Sequence, residues 1–89
     1  MASFEHINLS EVRFTPDLLR CIPAATARMY SVLPVFDTPD CLCIALDDPS
    51  KAEVIDELHF ILRRELQVQQ ADRQQIDAFI HRLYGDEHR

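Results

Sequence analysis

Residues able to do chemistry are sparse in this chain, and their spacing limits what they can do. Asp47 and Asp48 are adjacent carboxylates, a residue type suited to acid–base work or to a hard divalent cation such as magnesium. Pro49 and Ser50 follow them, so the run reads more economically as a helix start, where negative charge meets the positive end of the backbone dipole. The three cysteines, Cys21, Cys41 and Cys43, are an odd number without Cys-x-x-Cys spacing. That argues against a disulfide framework or a structural zinc site and for thiols packed as small apolar residues. His6, His59, His81 and His88 include no pair at helical i, i+4 spacing, and no Ser/His/Asp or Cys/His order stands out. A single glycine cannot build a phosphate-cradling Gly-x-x-x-x-Gly-Lys loop. The sequence predicts no catalytic residue, no cofactor and no metal, and hence not an enzyme.

One side chain stands out for a different kind of work. At 100° per residue, Val54, Ile55, Leu58, Ile61 and Leu62 share about a third of a helix circumference, and Phe60 projects nearly opposite, among Asp56, Glu57 and Arg64. A large aromatic off the core stripe is a candidate anchor for a partner. The candidate partner-binding residues are Phe60, Asp56, Glu57, Arg63 and Arg64. The competing expectation is that the N-terminal segment or the strand after the helix folds over Phe60, leaving the charges as an ordinary solvated face.

The elements that would carry these residues follow from patterning. Phe4 to Phe14 partly alternates and suits an extended lead-in against the core. Thr15-Pro16 is a helix-start pair, giving a short helix from Pro16 to about Cys21, and a second runs from Ala24 to Ser31. Val32 to Phe36 and Cys41 to Leu46 read as strands joined by Asp37-Thr-Pro-Asp40. The second strand is apolar at all six positions, as expected for a strand covered on both faces or placed centrally, while Pro34 puts at least that side of the first strand at an edge or a bulge. No Asn-Gly or Asp-Gly pair fixes the hairpin register.

Ser50-Lys-Ala-Glu53 has the form of a capping box opening the next helix. Leu66 to Ala71 alternates as a third strand. Asp72 with Gln75 suggests a second capping box, ahead of a helix whose stripe is Ile76, Phe79, Ile80, Leu83 and Tyr84, with Gly85 as a left-handed stop. The fold class is α+β, a small three-stranded sheet formed by a hairpin plus a right-handed β-α-β crossover and packed with two or three helices, in the order α-α-β-β-α-β-α. The place of the third strand beside either hairpin strand stays open. The chain divides into an extended lead-in at 1–15, one α+β domain at 16–85, and the start of a linker or tail at 86–89.

Composition agrees with one small core: 89 residues, 47 % hydrophobic and 27 % charged. A net charge of −6 disfavours nucleic acid and anionic membrane and favours a protein partner. No apolar run is long enough to span a bilayer and the N-terminus has no signal-peptide pattern, so a cytoplasmic location is expected.

Several short motifs arrive in order: Ile-Pro-x-x-x-Ala-x-x-Tyr at Ile22 to Tyr30, Leu-Pro-Val at Leu33 to Val35 and Ile-Ala-Leu-x-Asp-Pro-Ser at Ile44 to Ser50. Leu-x-Phe at Leu58 to Phe60 and Leu-Tyr-Gly at Leu83 to Gly85 complete the set. Together they resemble the N-terminal domain of the hexameric ATPases that power type II secretion and type IV pilus assembly, from about Leu9 to Gly85. The resemblance implies a non-catalytic interaction and regulatory module that docks the motor on the cytoplasmic domain of an inner-membrane platform protein, or on other domains of a parent ATPase. Similar domains occur in other bacterial proteins, including membrane glycosyltransferases. Relatives that bind cyclic di-GMP do so through Arg-Leu-Gly motifs, and this chain has none, so the alternative reading is part of a cyclic di-GMP-sensing domain whose nucleotide-binding half lies elsewhere. The family pattern also has a glycine where Arg63 stands. Because a left-handed conformation strains a non-glycine residue, the helix is expected to run on or to end without such a cap.

Overall fold

The computed structural model describes residues 6–85. The expectations for Phe4, for His88 and for the linker at 86–89 lie outside them. Four helices and a three-stranded sheet follow one another in the predicted order: α1 (Pro16–Leu19), α2 (Ala24–Tyr30), β1 (Val32–Asp37), β2 (Leu42–Leu46), α3 (Ala52–Leu62), β3 (Leu66–Gln70) and α4 (Arg73–Tyr84). The sheet order is β1-β2-β3, with β1 antiparallel and β3 parallel to β2. The strand read as doubly covered or central is therefore central, and Leu42, Ile44, Ala45 and Leu46 are all buried because both sheet faces are covered there.

Pro34 lies in the edge strand β1, where a missing N–H breaks no interior ladder, and the register shifts between Pro34 and Phe36 in a bulge at Val35. The hairpin is closed by side chains, in the absence of a glycine turn. Thr38 Oγ1 donates to the Cys41 carbonyl at 2.8 Å and accepts from the Cys41 N–H at 3.0 Å. The Arg64 guanidinium then donates to the Thr38 carbonyl at 2.7 Å and the Cys41 carbonyl at 3.3 Å, holding the turn from outside.

Helices α1, α2 and α4 pack on β1, α4 reaches β2, and α2 packs on α4. Thr15 caps α1 as expected, its Oγ1 accepting from the Leu18 N–H at 3.1 Å. Leu9, Ile22, Leu33, Ile44, Leu58 and Ile76 are fully buried at the centre of the resulting core. Tyr84 ties the C-terminal end of α4 to the α1–α2 connection, its hydroxyl lying 3.1 Å from the Leu19 carbonyl and 3.0 Å from that of Ile22. Burial pushes the pKa of this phenol up to about 12.

Several local expectations are corrected. The lead-in is not wholly extended, since Leu9–Glu11 forms a 3-10 turn capped by Asn8. Upstream of it, His6 makes a parallel bridge to Gln70, and the Ile7 N–H donates to the Gln70 carbonyl at 2.8 Å. Helix α1 ends at Leu19, and α2 ends at Tyr30 with Ser31 left-handed at φ 54°.

Neither predicted capping box forms. Lys51 is the N-cap of α3 and gives no side-chain bond, because Ser50 instead donates its N–H and its hydroxyl to Asp48 Oδ1 in a turn of its own. Asp72 likewise makes no capping bond. Gln75 faces the N-terminal segment, accepting from the Leu9 N–H at 3.1 Å and donating to Asn8 Oδ1 at 3.3 Å. Gly85 has a positive φ of 74° but an extended ψ of 179°, which is not a left-handed helical stop.

Candidate functional site

Helix α3 and the turn after it hold all five candidate residues. Leu58 faces inward and is fully buried, which fixes the rotation of the helix and sends Asp56, Glu57 and Phe60 to the surface. Phe60 is 82 % exposed and Ile61 44 % exposed. The expectation that a neighbouring segment covers Phe60 is thus overturned. The placement of Ile61 in the core stripe is also corrected, since the rotation that buries Leu58 leaves Ile61 at the margin of the apolar face.

The turn after α3 has the conformation that the sequence argued against. Arg63 is left-handed at φ 57° and ψ 42°, and its N–H donates to the His59 carbonyl at 2.8 Å, closing the last turn of the helix. Parallel pairing sets the reason: Leu66 must enter β3 opposite Leu42 only four residues after Leu62, so the chain has to reverse abruptly. Tertiary pairing outweighs a local strain of about 1 kcal/mol.

Phe60 and Ile61 form a ridge between two open crevices. One, of about 800 Å³, is lined by His59, Arg63, Arg64 and Glu65 beside the ridge. The other, of about 350 Å³, is lined by Tyr30, Asp56 and Glu57. The Tyr30 hydroxyl donates to Glu57 Oε1 at 2.8 Å, which holds the phenol protonated and raises its pKa. Arg64 differs from the other four candidates. Its guanidinium sits 2.7 Å from Asp37 Oδ1 as well as binding the hairpin turn, and that carboxylate raises its pKa. Its charge is used internally, so Phe60, Asp56, Glu57 and Arg63 make up the available surface.

The other groups read from the sequence are occupied structurally. Asp47 lies 3.5 Å from Arg73, and its carbonyl accepts from Gln70 Nε2. The bonds from Ser50 lower the pKa of Asp48. Cys41 and Cys43 share the sheet face of Gln67, their thiols lying 3.8 and 3.5 Å from its Oε1. Burial raises the pKa of Cys43, and of Cys21, whose thiol is 3.6 Å from Asp37 Oδ2. Among the described residues no group of three or more His, Cys, Asp or Glu side chains is placed to hold a metal ion. Nor is any described helix long and apolar enough to cross a membrane.

The MshEN domain family model matches residues 2–89. The chain belongs to the MshEN domain family. It is similar to the type IV pilus assembly ATPase PilB of Myxococcus xanthus (strain DK1622), 29 % identical over 80 residues that cover 90 % of this chain and 14 % of that protein. Among solved structures, MshE with cdg (cyclic di-GMP) superposes with a TM-score of 0.80 at 24 % identity, over 89 % of this chain and 58 % of the other. The N-terminal domain of XpsE gives 0.72 at 17 % identity, over 89 % and 56 %. At these identities the two structures establish the shared α+β fold. The resemblance carried by the short motifs, to the N-terminal domain type of type II secretion and type IV pilus assembly ATPases, is thereby supported by sequence and fold together. This MshEN domain spans about a seventh of PilB, as its 14 % share shows.

Proposed function

We propose that this MshEN domain is a non-catalytic docking and regulatory module of a secretion or pilus-type assembly ATPase, working in the cytoplasm and coupling the motor to an inner-membrane platform protein. The observation that carries the docking role is the Phe60–Ile61 ridge, a large apolar surface set on a rigid helix and rimmed by charge. An aromatic anchor with a polar rim is the arrangement in which a few side chains supply most of a binding energy. Asp56, Glu57 and Arg63 supply the rim, and Arg64 acts through the hairpin turn that it holds in place.

The test is binding of the purified chain to the cytoplasmic domain of a platform protein, followed by titration. Phe60→Ala is expected to weaken binding by about 2 kcal/mol, the scale of a buried aromatic anchor, and to leave the melting temperature unchanged. Wild-type affinity in the variant removes Phe60 from the interface, and no binding by the wild type refutes the docking role.

The likeness to MshE with cdg supports a second reading, in which the domain is part of a cyclic di-GMP sensor. Without an Arg-Leu-Gly motif, these 89 residues are expected to give no heat with cyclic di-GMP in calorimetry. Saturable heat would place the nucleotide site within them and overturn that expectation.

A further inference from the structure

Two thiols stand side by side near the hairpin end of the sheet. Between Cys41 and Leu46 the residues Leu42, Ile44, Ala45 and Leu46 are buried, while Cys41 and Cys43 are only half-buried. Packing as small apolar residues, the expectation from the sequence, therefore describes them incompletely. Residues two apart on a strand share a face. Cys43 has Phe36 opposite it on β1 and Gln67 opposite it on β3, and both of those side chains are exposed, so this part of the face is open to solvent.

One carboxamide oxygen, Gln67 Oε1, lies 3.8 Å from the Cys41 sulfur and 3.5 Å from that of Cys43. The Cys41 side chain is also a hydrogen-bond partner of the Cys43 thiol, so the two sulfurs are neighbours. The nearest other polar atom is again neutral, with Thr38 Oγ1 at 3.6 Å from Cys41 Sγ. Cys21 is engaged apart from the pair, its thiol 3.6 Å from Asp37 Oδ2 and 3.7 Å from the Asp17 carbonyl. Among the described residues no third His, Cys, Asp or Glu completes a metal cluster, so four-coordinate zinc has too few ligands here. Two thiols without a third ligand suit a cation that prefers sulfur to oxygen and accepts two-coordination.

From this geometry we infer that Cys41 and Cys43 form a two-thiolate binding site for a soft monovalent cation of the copper(I) class. Binding breaks two S–H bonds and forms two sulfur–copper bonds. Both protons leave to solvent, the copper stays in the +1 state, and the complex carries one net negative charge. Gln67 has the chemistry to answer that charge, because the carboxamide that accepts from the thiols can turn over and donate its N–H groups to the thiolates. The central position of β2, paired on both sides, holds the two sulfurs at a fixed spacing before any cation arrives.

Anaerobic titration of the full chain with copper(I), in competition with the chromophoric chelator bicinchoninate, tests this directly. Wild type is expected to take up a single equivalent. Cys41→Ser and Cys43→Ser should each weaken binding by more than about 100-fold, beyond the cost of losing an outer-shell partner, and Cys21→Ser should leave it unchanged. Gln67→Glu keeps the size of the side chain but sets a carboxylate beside an anionic complex, and should weaken binding by about tenfold. All variants should give the circular dichroism of the parent. Because the site is assembled by the fold, copper(I) should raise the melting temperature of wild type and not that of Cys43→Ser.

Copper(I) affinity retained by either serine variant at Cys41 or Cys43 overturns the inference. So does equal dependence on Cys21, unchanged affinity in Gln67→Glu, or a wild-type melting temperature that copper(I) does not raise, which would mean that the thiols bind as well in the unfolded chain.

Discussion

Arg63 offers a direct measurement of what the fold demands of one residue. An L-residue in the left-handed region carries about 1–2 kcal/mol relative to its preferred conformations, and Arg63 is held there at φ 57° and ψ 42°. Its side chain is exposed, so replacement removes little packing. Arg63→Gly relieves the strain, and the greater freedom of glycine in the unfolded chain takes back about 0.5–1 kcal/mol. A net stabilisation of about 0.5–1 kcal/mol remains, which for a domain of this size is an upward shift in Tm of about 2–8 °C.

Arg63→Ala is the control, because alanine keeps the Cβ that causes the strain and should fall within about 0.5 kcal/mol of the parent. Urea denaturation followed by circular dichroism measures all three proteins, with equal m-values required so that the midpoints compare directly. A glycine variant no more stable than the alanine variant would refute the reasoning. In that case the backbone at Arg63 is not strained, or the turn is held by contacts of the arginine side chain itself.

Three further outcomes follow from the same geometry. Arg64→Met should cost about 2–3 kcal/mol in urea denaturation, because it strips charged hydrogen bonds from Asp37 and from two hairpin carbonyls, and Arg64→Lys should recover only part of that, lacking the planar fork. Tyr84→Phe should cost about 1 kcal/mol by freeing the Leu19 and Ile22 carbonyls. Tyr84 also sets an alkaline limit: the folded chain keeps the phenolic proton until about pH 12 while the unfolded chain releases it near pH 10, the ordinary tyrosine value. The contribution of Tyr84 is therefore complete below pH 10 and is lost as pH rises toward 12, and a stability-against-pH series should show the decline flattened in Tyr84→Phe. Gln75→Ala should cost about 1 kcal/mol and speed hydrogen exchange at the Leu9 amide, whose acceptor it removes.

The elements that were legible in the sequence are those whose signals are local or periodic. Six consecutive apolar residues from Cys41 to Leu46 marked a strand covered on both faces or placed centrally, and β2 is the middle strand of the sheet. Pro34 marked an edge or a bulge in the first strand through its missing N–H, and Thr15-Pro16 named the start of α1 through a cap and a fixed φ. The periodicity of α3 placed Leu58 inside and Phe60 outside, although it did not decide whether another segment would cover Phe60.

What failed was decided by groups distant in the sequence. Gln75 had the right spacing from Asp72 for a capping box, but the Leu9 N–H, 66 residues away, takes the same side chain as its acceptor. Ser50 had the right spacing from Glu53, yet Asp48 holds it in a preceding turn. Arg64 read as one more surface charge until the fold brought Asp37 and the hairpin turn to it.

The sequence by itself determined the α+β order, a second strand covered on both faces or placed centrally, and a helix with one large aromatic on its outer side. Those follow from covalent geometry and side-chain periodicity within a few residues. Only the tertiary structure decided that β3 pairs beside β2, that Arg63 must turn left-handed to let it, and that Phe60 stands uncovered between a crevice lined by Tyr30, Asp56 and Glu57 and one lined by Arg63 and Glu65. The physical reason is that each depends on which distant groups compete for the same hydrogen bonds and the same surface.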